Sequence, residues 1–369
     1  MKVSKPILLL VWSWLLLATP AVALTCFSGG GQEDWNHYKA RFISADGRLI
    51  DTGNQNISHS EGQGFGLRLA LFFEDRETFA KIWGWTRENL YVRGDQLAAW
   101  RWRPDQAEPV TDRNNASDGD VLIAWALGQA GRRWEKPDYL AAARAIAAEI
   151  RAKLLRNKPY GLLLLPGLEG FERDEGLILN PSYWVFPALE ELAMLNPPAD
   201  TWRTLRDTGL RMLEEARFGR WELPPDWVVW NAGFALPADF KPRFGYDAIR
   251  VPLYLVWGSD SLSDQQQLHR LLNRFLGFWE NFAEAPFVPD WTDLSNDAVS
   301  SHDAPAGIKA VINLIRFVTQ SKGRAAFLSL PPLDDQVDYY SASLSLLVRA
   351  AATEWCQRAS TVAPGPRTR

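Results

Sequence analysis

The sequence predicts an all-α protein, an (α/α)6 barrel of alternating inner and outer helices with one small β-hairpin element. Three observations lead there. Apolar residues recur at helical spacing through most of the 369 residues, while extended patterns are scarce. Helical stretches that are apolar all round alternate with amphipathic ones, and these two kinds belong inside and outside a ring. The apolar stretches open near residues 61, 118, 182, 247, 304 and 339, in steps of roughly 55–65 residues with a shorter last one. No sequence identity links these units, so the period is structural.

The first segment stands apart from the fold. Lys2 and Lys5 precede an apolar run from Ile7 to Ala18, then Pro20 and the small-x-small triplet Ala21-Val22-Ala23. That order is a secretory signal, residues 1–23, with cleavage after Ala23. A retained membrane anchor is the alternative, although Pro20 interrupts the run. Lipidation at Cys26 fits less well, because Leu24-Thr25 is a poor approach to a lipidated Cys. A cleaved chain is expected to be periplasmic or secreted, with no stable membrane insertion.

Residues 24–359 read as one domain. Helices are expected over Asp34–Ser44, Ser60–Glu74, Asp75–Val92, Ser117–Trp134, Asp138–Leu155, Asn180–Leu195 and Asp200–Phe218. Tyr246–Trp257, Ser263–Phe282, Ala304–Gln320 and Asp338–Ala359 follow, with a short piece near Arg324 to Leu328. Ser, Asp and Asn at many of these starts suit helix N-termini. Gly161–Leu165 and Gly176–Leu179 flank a Gly-rich loop and are expected to pair as a hairpin. Trp227–Trp230 is a further extended piece, and the polar, Pro-containing 360–369 is a disordered tail.

Composition narrows the function. There are 40 Lys plus Arg against 44 Asp plus Glu, a formal net charge of −4, with 18 Trp, 2 Cys and 4 His. The acidity gives no footprint for nucleic acid. So few Cys and His argue against zinc-finger, iron–sulfur and disulfide-scaffold classes. Cys26 and Cys356 lie near the two ends of the mature chain, where a disulfide would tie the ends of the ring together. Two free thiols are the alternative.

Chemistry collects where the inner helices begin. In an up-and-down ring those starts share one rim. Glu61 precedes Gly62, Gly64 and Gly66, which allow another chain or a substrate close to the backbone. Their spacing is not a dinucleotide fingerprint. Asp118 and Asp120 open the second inner helix, and Asp247 lies one turn before Arg250. Taken singly, these acids read as helix-dipole partners or an i,i+3 ion pair worth a few tenths of a kcal/mol. Taken together with aromatics on one rim, they suit polysaccharide hydrolysis, which needs one protonated and one ionised carboxyl group. Trp100, Trp102, Tyr183, Trp184, Tyr246, Tyr339 and Tyr340 are the expected stacking residues, with Asp120 and Arg250 as hydrogen-bonding partners. The helical Trp83, Trp125, Trp202, Trp257, Trp279 and Trp355 are expected to pack the ring.

At these residues the sequence resembles a known family. Ala116-Ser117-Asp118-Gly119-Asp120-x-x-Ile123-Ala124-x-Ala126-Leu127-Gly128-x-Ala130-x-x-x-Trp134 looks like the defining motif of glycoside hydrolase family 8. Ser60-Glu61-Gly62-Gln63-Gly64-Phe65-Gly66 resembles its general-acid segment. Tyr246-Asp247-Ala248-Ile249-Arg250 resembles its general-base segment. The similarity runs from about Trp35 to Trp355 and is greatest to the periplasmic family members that accompany bacterial cellulose synthase. It implies an (α/α)6 barrel, inversion at the anomeric carbon, no cofactor and no metal. Glu61 would protonate the leaving oxygen, Asp247 would activate water, and Asp118 would hold and help distort the central sugar. The implied substrate is β-1,4-glucan, and the implied partner is a cellulose synthase or export complex. A helix N-terminus lowers a carboxyl pKa, so proximity of Asp118 and desolvation by Phe and Trp must prevail at Glu61. Chitosan, mixed-linkage glucan and xylan are alternative substrates within the family. A polysaccharide lyase would want a more basic cleft, and a non-catalytic glycan-binding subunit would not need three acids.

Overall fold

The computed structural model describes residues 31–259, 262, 265–320 and 328–361. The expected signal segment, Cys26, most of the expected tail and nearly all of the short piece near Arg324 lie outside the described residues. Among the described residues there are eleven α-helices. They are α1 (Gly31–Phe42), α2 (Ser60–Phe72), α3 (Arg76–Asn89), α4 (Ser117–Arg133), α5 (Pro137–Lys153) and α6 (Phe186–Leu195). Then come α7 (Ala199–Glu215), α8 (Arg250–Trp257), α9 (Gln265–Glu280), α10 (Ala306–Gln320) and α11 (Tyr339–Thr361).

The alternation of apolar and amphipathic stretches becomes a closed ring. α2 packs on α4, α4 on α6, α6 on α8, α8 on α10 and α11, and α11 returns to α2. Outside it, α3 backs α2, α5 backs α4, α7 backs α6, and α9 backs α8 and α10. Burial follows the pattern: every residue of α8 is buried, whereas α9 buries one stripe that includes Leu268, Leu272, Phe275 and Trp279. α10 departs from expectation. It sits in the ring but is not apolar all round, since Lys309, Asn313 and Arg316 form a half-exposed stripe.

Two inner helices start later than their polar entries suggest. Asn180 caps only a short 3-10 turn, Pro181–Tyr183, and α6 begins at Phe186. Tyr246–Ile249 forms a turn before α8, because a buried carboxylate takes its backbone N–H groups.

The extended pieces also differ. Ten short strands are present among the described residues: β1 (Ser58–His59), β2 (Arg101–Trp102), β3 (Leu155–Lys158), β4 (Gly161–Leu164), β5 (Glu172–Arg173), β6 (Gly176–Leu179), β7 (Val228–Trp230), β8 (Phe234–Ala235), β9 (Arg243–Phe244) and β10 (Thr292–Asp293). The expected hairpin between Gly161–Leu165 and Gly176–Leu179 does not form. β4 pairs antiparallel with β3 through a tight turn that holds Gly161 at φ +144°, and β6 joins a four-stranded sheet between β5 and β7. The residues just after α5 therefore extend and take up the edge of β4. Cys356 is buried in α11 and is not a free thiol. No helix among the described residues is long and apolar enough to cross a membrane.

A buried cation ties four inner helices together. Arg68 of α2 is 2 % exposed. Its Cζ lies 3.8 Å from the Trp125 ring centre of α4 and 5.2 Å from that of Trp257 in α8. Its Nη2 donates to Glu354 Oε1 of α11 at 3.1 Å, and Trp257 Nε1 donates to Oε2 of the same carboxylate at 2.7 Å. Desolvation of a guanidinium is compensated only while these partners remain. Arg68→Met is therefore expected to destabilise the fold by about 2–4 kcal/mol in urea unfolding. A loss within ~0.5 kcal/mol, the range of ordinary surface substitutions, would remove this interaction from the account.

Candidate active site

Three inner-helix entries meet at one cleft of ≈ 270 Å³. Glu61, Asp118, Asp247 and Arg250 line it with Trp100, Tyr183 and Tyr340. Asp51, Asn54, Ile57 and His59 complete the wall.

Glu61 sits in the first turn of α2. His59 precedes that turn and caps it, its Nδ1 accepting the Gly62 N–H at 3.0 Å. The expected close approach at the glycines is made by the protein itself. A side chain at Gly62 would strike the Tyr339 hydroxyl, and one at Gly119 would strike Ser60. These small residues let α2, α4 and α11 crowd together and bring Glu61 beside Asp118.

Arg250, the first residue of α8, connects the acids. Its Nη1 pairs with Glu61 and lies 3.3 Å from Asp118 Oδ2. Its Nη2 donates to Asp247 Oδ1 at 2.7 Å and to Ser182 Oγ at 2.8 Å. The i,i+3 pair foreseen for Asp247 and Arg250 exists as one arm of a hub. One cation cannot neutralise three carboxylates, of which Asp118 is buried and Glu61 and Asp247 are partly exposed. Burial accordingly pushes Asp118 up to about 7, against the pull of the Gly119 N–H and His59. Desolvation, with Asp226 and Asp118 nearby, raises Asp247 well above the usual carboxylate range.

Other expected residues sort into three groups. Trp100, Tyr183, Tyr340 and Arg250 are on the cleft. Trp100 is pinned there by its Nε1, which donates to Asp112 Oδ2 at 2.7 Å. Tyr246 stands beside the cleft, 37 % exposed, with its hydroxyl donating to Asp290 at 2.7 Å and its carbonyl accepting from the Tyr340 hydroxyl at 2.5 Å.

Asp120, Trp184 and Tyr339 are buried away from it and are not placed to bind substrate. Asp120 accepts the Ala98 N–H and the Asn115 Nδ2, each at 2.8 Å, so it shapes the loop carrying Trp100. Trp184 donates to the Leu205 carbonyl at 3.0 Å beneath α7. Tyr339 packs among Tyr38, Phe42 and His59. In each case the apolar surround that suggested a rim is the core just below it. Trp102 also lies off the cleft, with its ring against Trp85.

Asp226 is the residue that sequence reasoning missed. Buried at 2 % exposure, its Oδ1 accepts the backbone N–H groups of Gly245 (2.9 Å), Asp247 (3.2 Å) and Ala248 (2.9 Å). Arg243 Nε donates to its Oδ2 at 2.9 Å. It thus folds the turn that aims Asp247. The only hint in the chain is an acid wedged in Pro224-Pro225-Asp226-Trp227. His59 and Asp51 were also missed, although the polar run before Glu61 was visible.

Two outcomes test this geometry. Asp226→Ala should lower kcat about 10²-fold with little change in KM, because a displaced reactive group forfeits alignment rather than binding. A proportional rise in KM instead would argue against an aiming role. Asp120 is pushed up to about 7, mainly by burial. A carboxyl whose pKa rises on folding favours the fold below its unfolded pKa, and loses that advantage as pH passes its folded pKa. The Tm of the wild type relative to Asp120→Asn is therefore expected to fall between pH 4 and pH 8. A pH-independent difference would contradict it.

Comparison with known proteins agrees with this geometry. The chain is 40% identical over 327 residues to the "Probable endoglucanase" of Novacetimonas hansenii, covering 87% of this chain and 91% of that one. It is 38% identical over 285 residues to an endoglucanase of Cellulomonas uda, covering 77% of each. Among solved structures, the endo-beta-1,4-glucanase CMCax from Acetobacter xylinum superposes with a TM-score of 0.77 at 39% identity, covering 88% of this chain and 98% of that one. Residues 8–354 match the description Glycosyl hydrolases family 8. With the acids of three inner-helix entries, Glu61, Asp118 and Asp247, gathered around Arg250, the chain belongs to glycosyl hydrolases family 8 and is a glycoside hydrolase.

Proposed function

We propose that the protein is an endo-acting β-1,4-glucanase that inverts the anomeric carbon. The observation carrying this reading is the three-carboxylate cleft with Arg250 at its centre and Trp100, Tyr183 and Tyr340 on its walls. The flat rings suit the apolar faces of glucose units, and the acids and Arg250 suit their hydroxyls. The endoglucanase relatives support a β-1,4-glucan as the chain cut.

Glu61 protonates the glycosidic oxygen as the bond breaks. Asp247 takes a proton from the water that attacks the opposite face. Asp118 stays between them, holding the central sugar. The acid step needs Glu61 protonated and free of its pair with Arg250, so Arg250 stays with Asp118 and Asp247 as substrate enters. Asp226 keeps Asp247 directed at the water. We further propose export through the signal at residues 1–23, a Cys26–Cys356 disulfide in the exported chain, and service alongside cellulose synthesis. The segment's order of charges and apolar residues supports export, and the resemblance supports the last.

Glu61→Gln and Asp247→Asn should each lower kcat on a soluble cellulose derivative by about 10²–10⁴-fold while leaving the circular dichroism spectrum unchanged. Near-normal turnover in either variant would sink the assignment. Proton NMR of the first product should reveal the α-anomer at the new reducing end. A β-anomer forming first would mean retention.

A further inference from the structure

The polar entry to α10, Ser301-His302-Asp303, does not line the cleft. His302 instead meets Asp290, a carboxyl group with 0 % exposure. Asp290 Oδ2 accepts the Tyr246 hydroxyl at 2.7 Å and lies 3.0 Å from His302 Nε2. Its Oδ1 is buried and has no hydrogen-bond partner among the described residues. One oxygen therefore carries the whole side-chain hold on this group, and loss of either partner leaves a buried polar group poorly satisfied. His302 is the one basic side chain paired with Asp290 among the described residues.

The backbone brings these residues together. Asp290 N–H donates to Ser300 Oγ at 3.1 Å, and Ser300 N–H donates to the Trp291 carbonyl at 3.2 Å. These bonds fold the segment before α10 back onto Asp290. β10, two residues after Asp290, pairs with β9, and the chain leaving β9 runs into Tyr246.

Tyr246 bears on the peptide unit that leads into Asp247. The carbonyl of that unit accepts the Tyr340 hydroxyl at 2.5 Å, and its N–H donates to Asp226 Oδ1 at 3.2 Å. Both ends of the unit are thus held through the backbone. The Tyr246 side chain adds a third hold, on the Cα just before it. Burial pushes the Tyr246 hydroxyl above its ordinary range and the Asp290 bond adds to this, so the hydroxyl keeps its proton and remains a donor.

We propose that His302 and Asp290 are positioning residues for the general base. Through Tyr246 they hold the peptide unit that aims Asp247 at the attacking water. This rests on the reading of Asp247 as the base. Asp226 fixes the same turn through its N–H groups, whereas this tether fixes it through a side chain, from the α10 side.

Steady-state kinetics on a soluble cellulose derivative test the tether. Tyr246→Phe keeps the ring and should lower kcat about three- to tenfold, with KM within about twofold of the wild type. His302→Ala should lower kcat about three- to fivefold. His302→Gln, whose amide can donate where Nε2 does, should restore most of it. The double variant Tyr246→Phe/His302→Ala should be within about twofold of Tyr246→Phe alone, because both changes break one link. His302 is 61 % exposed, so its variants are expected to fold and decide the matter if Tyr246→Phe does not. Unchanged kcat in His302→Ala, no rescue by His302→Gln, losses that multiply in the double variant, or a rise in KM in place of the fall in kcat would each overturn the proposal. Asp247→Asn separates the two readings. Near-normal turnover there removes the base and this proposal with it, whereas an inactive Asp247→Asn beside unaffected His302 variants rejects the tether alone.

Discussion

The site depends on one buried guanidinium. Arg250 is 2 % exposed and has acids on several sides. A lone buried cation, or a cluster of unpaired carboxylates around the buried Asp118, would each be costly to keep charged. Set together, they are tolerable, and the arrangement still leaves more negative than positive groups. Burial is the main physical source of the raised carboxyl pKa values at Asp118 and Asp247, and at Asp247 the neighbouring Asp226 and Asp118 add to it.

Holding such a cluster requires a rigid frame, and the ring provides it from three helices. Glu61 comes from the start of α2, Asp118 from the start of α4, and Arg250 from the start of α8. Asp247 is the exception, since it lies on a turn rather than a helix. There a second buried acid substitutes for regular structure: Asp226 accepts three consecutive-region N–H groups and fixes the turn as a helix would have done. The same economy appears at Asp120, which serves the loop under Trp100. Buried acids here organise backbone as well as line the cleft.

That duality explains what could be read from the chain and what could not. The ring was legible because burial imposes a period on sequence: α8 is buried throughout and α9 along one stripe, and both patterns are visible in the residues. Glu61, Asp118, Asp247 and Arg250 were legible because each opens or precedes an apolar run. Asp226 was not, because it stands on an irregular segment whose partners lie about twenty residues on. Trp184 and Tyr339 misled for a related reason. An aromatic at the start of an inner helix can point into the cleft or one turn down into the core, and sequence spacing does not separate the two. The hairpin failed because antiparallel pairing depends on which strand is nearest in space, and the residues after α5 were nearer to Gly161–Leu164 than those at Gly176–Leu179.

The two buried arginines divide the work of the ring. Arg68 joins α2, α4, α8 and α11 using aromatic faces as well as a carboxylate, while Arg250 joins the starts of α2, α4 and α8 using carboxylates directly. Trp125 and Trp257 give Arg68 surfaces that do not titrate, so its hold varies little with pH except through Glu354. Around Arg250 the side-chain partners are three carboxylates and the Ser182 hydroxyl. Stability is thereby lodged with the arginine packed against tryptophan, and proton chemistry with the arginine packed against acids. The high tryptophan content of the sequence follows from packing more than from sugar stacking: Trp125, Trp202, Trp257 and Trp279 are all buried, whereas among the described residues Trp100 lines the cleft and Trp227 reaches the Asp247 carboxylate.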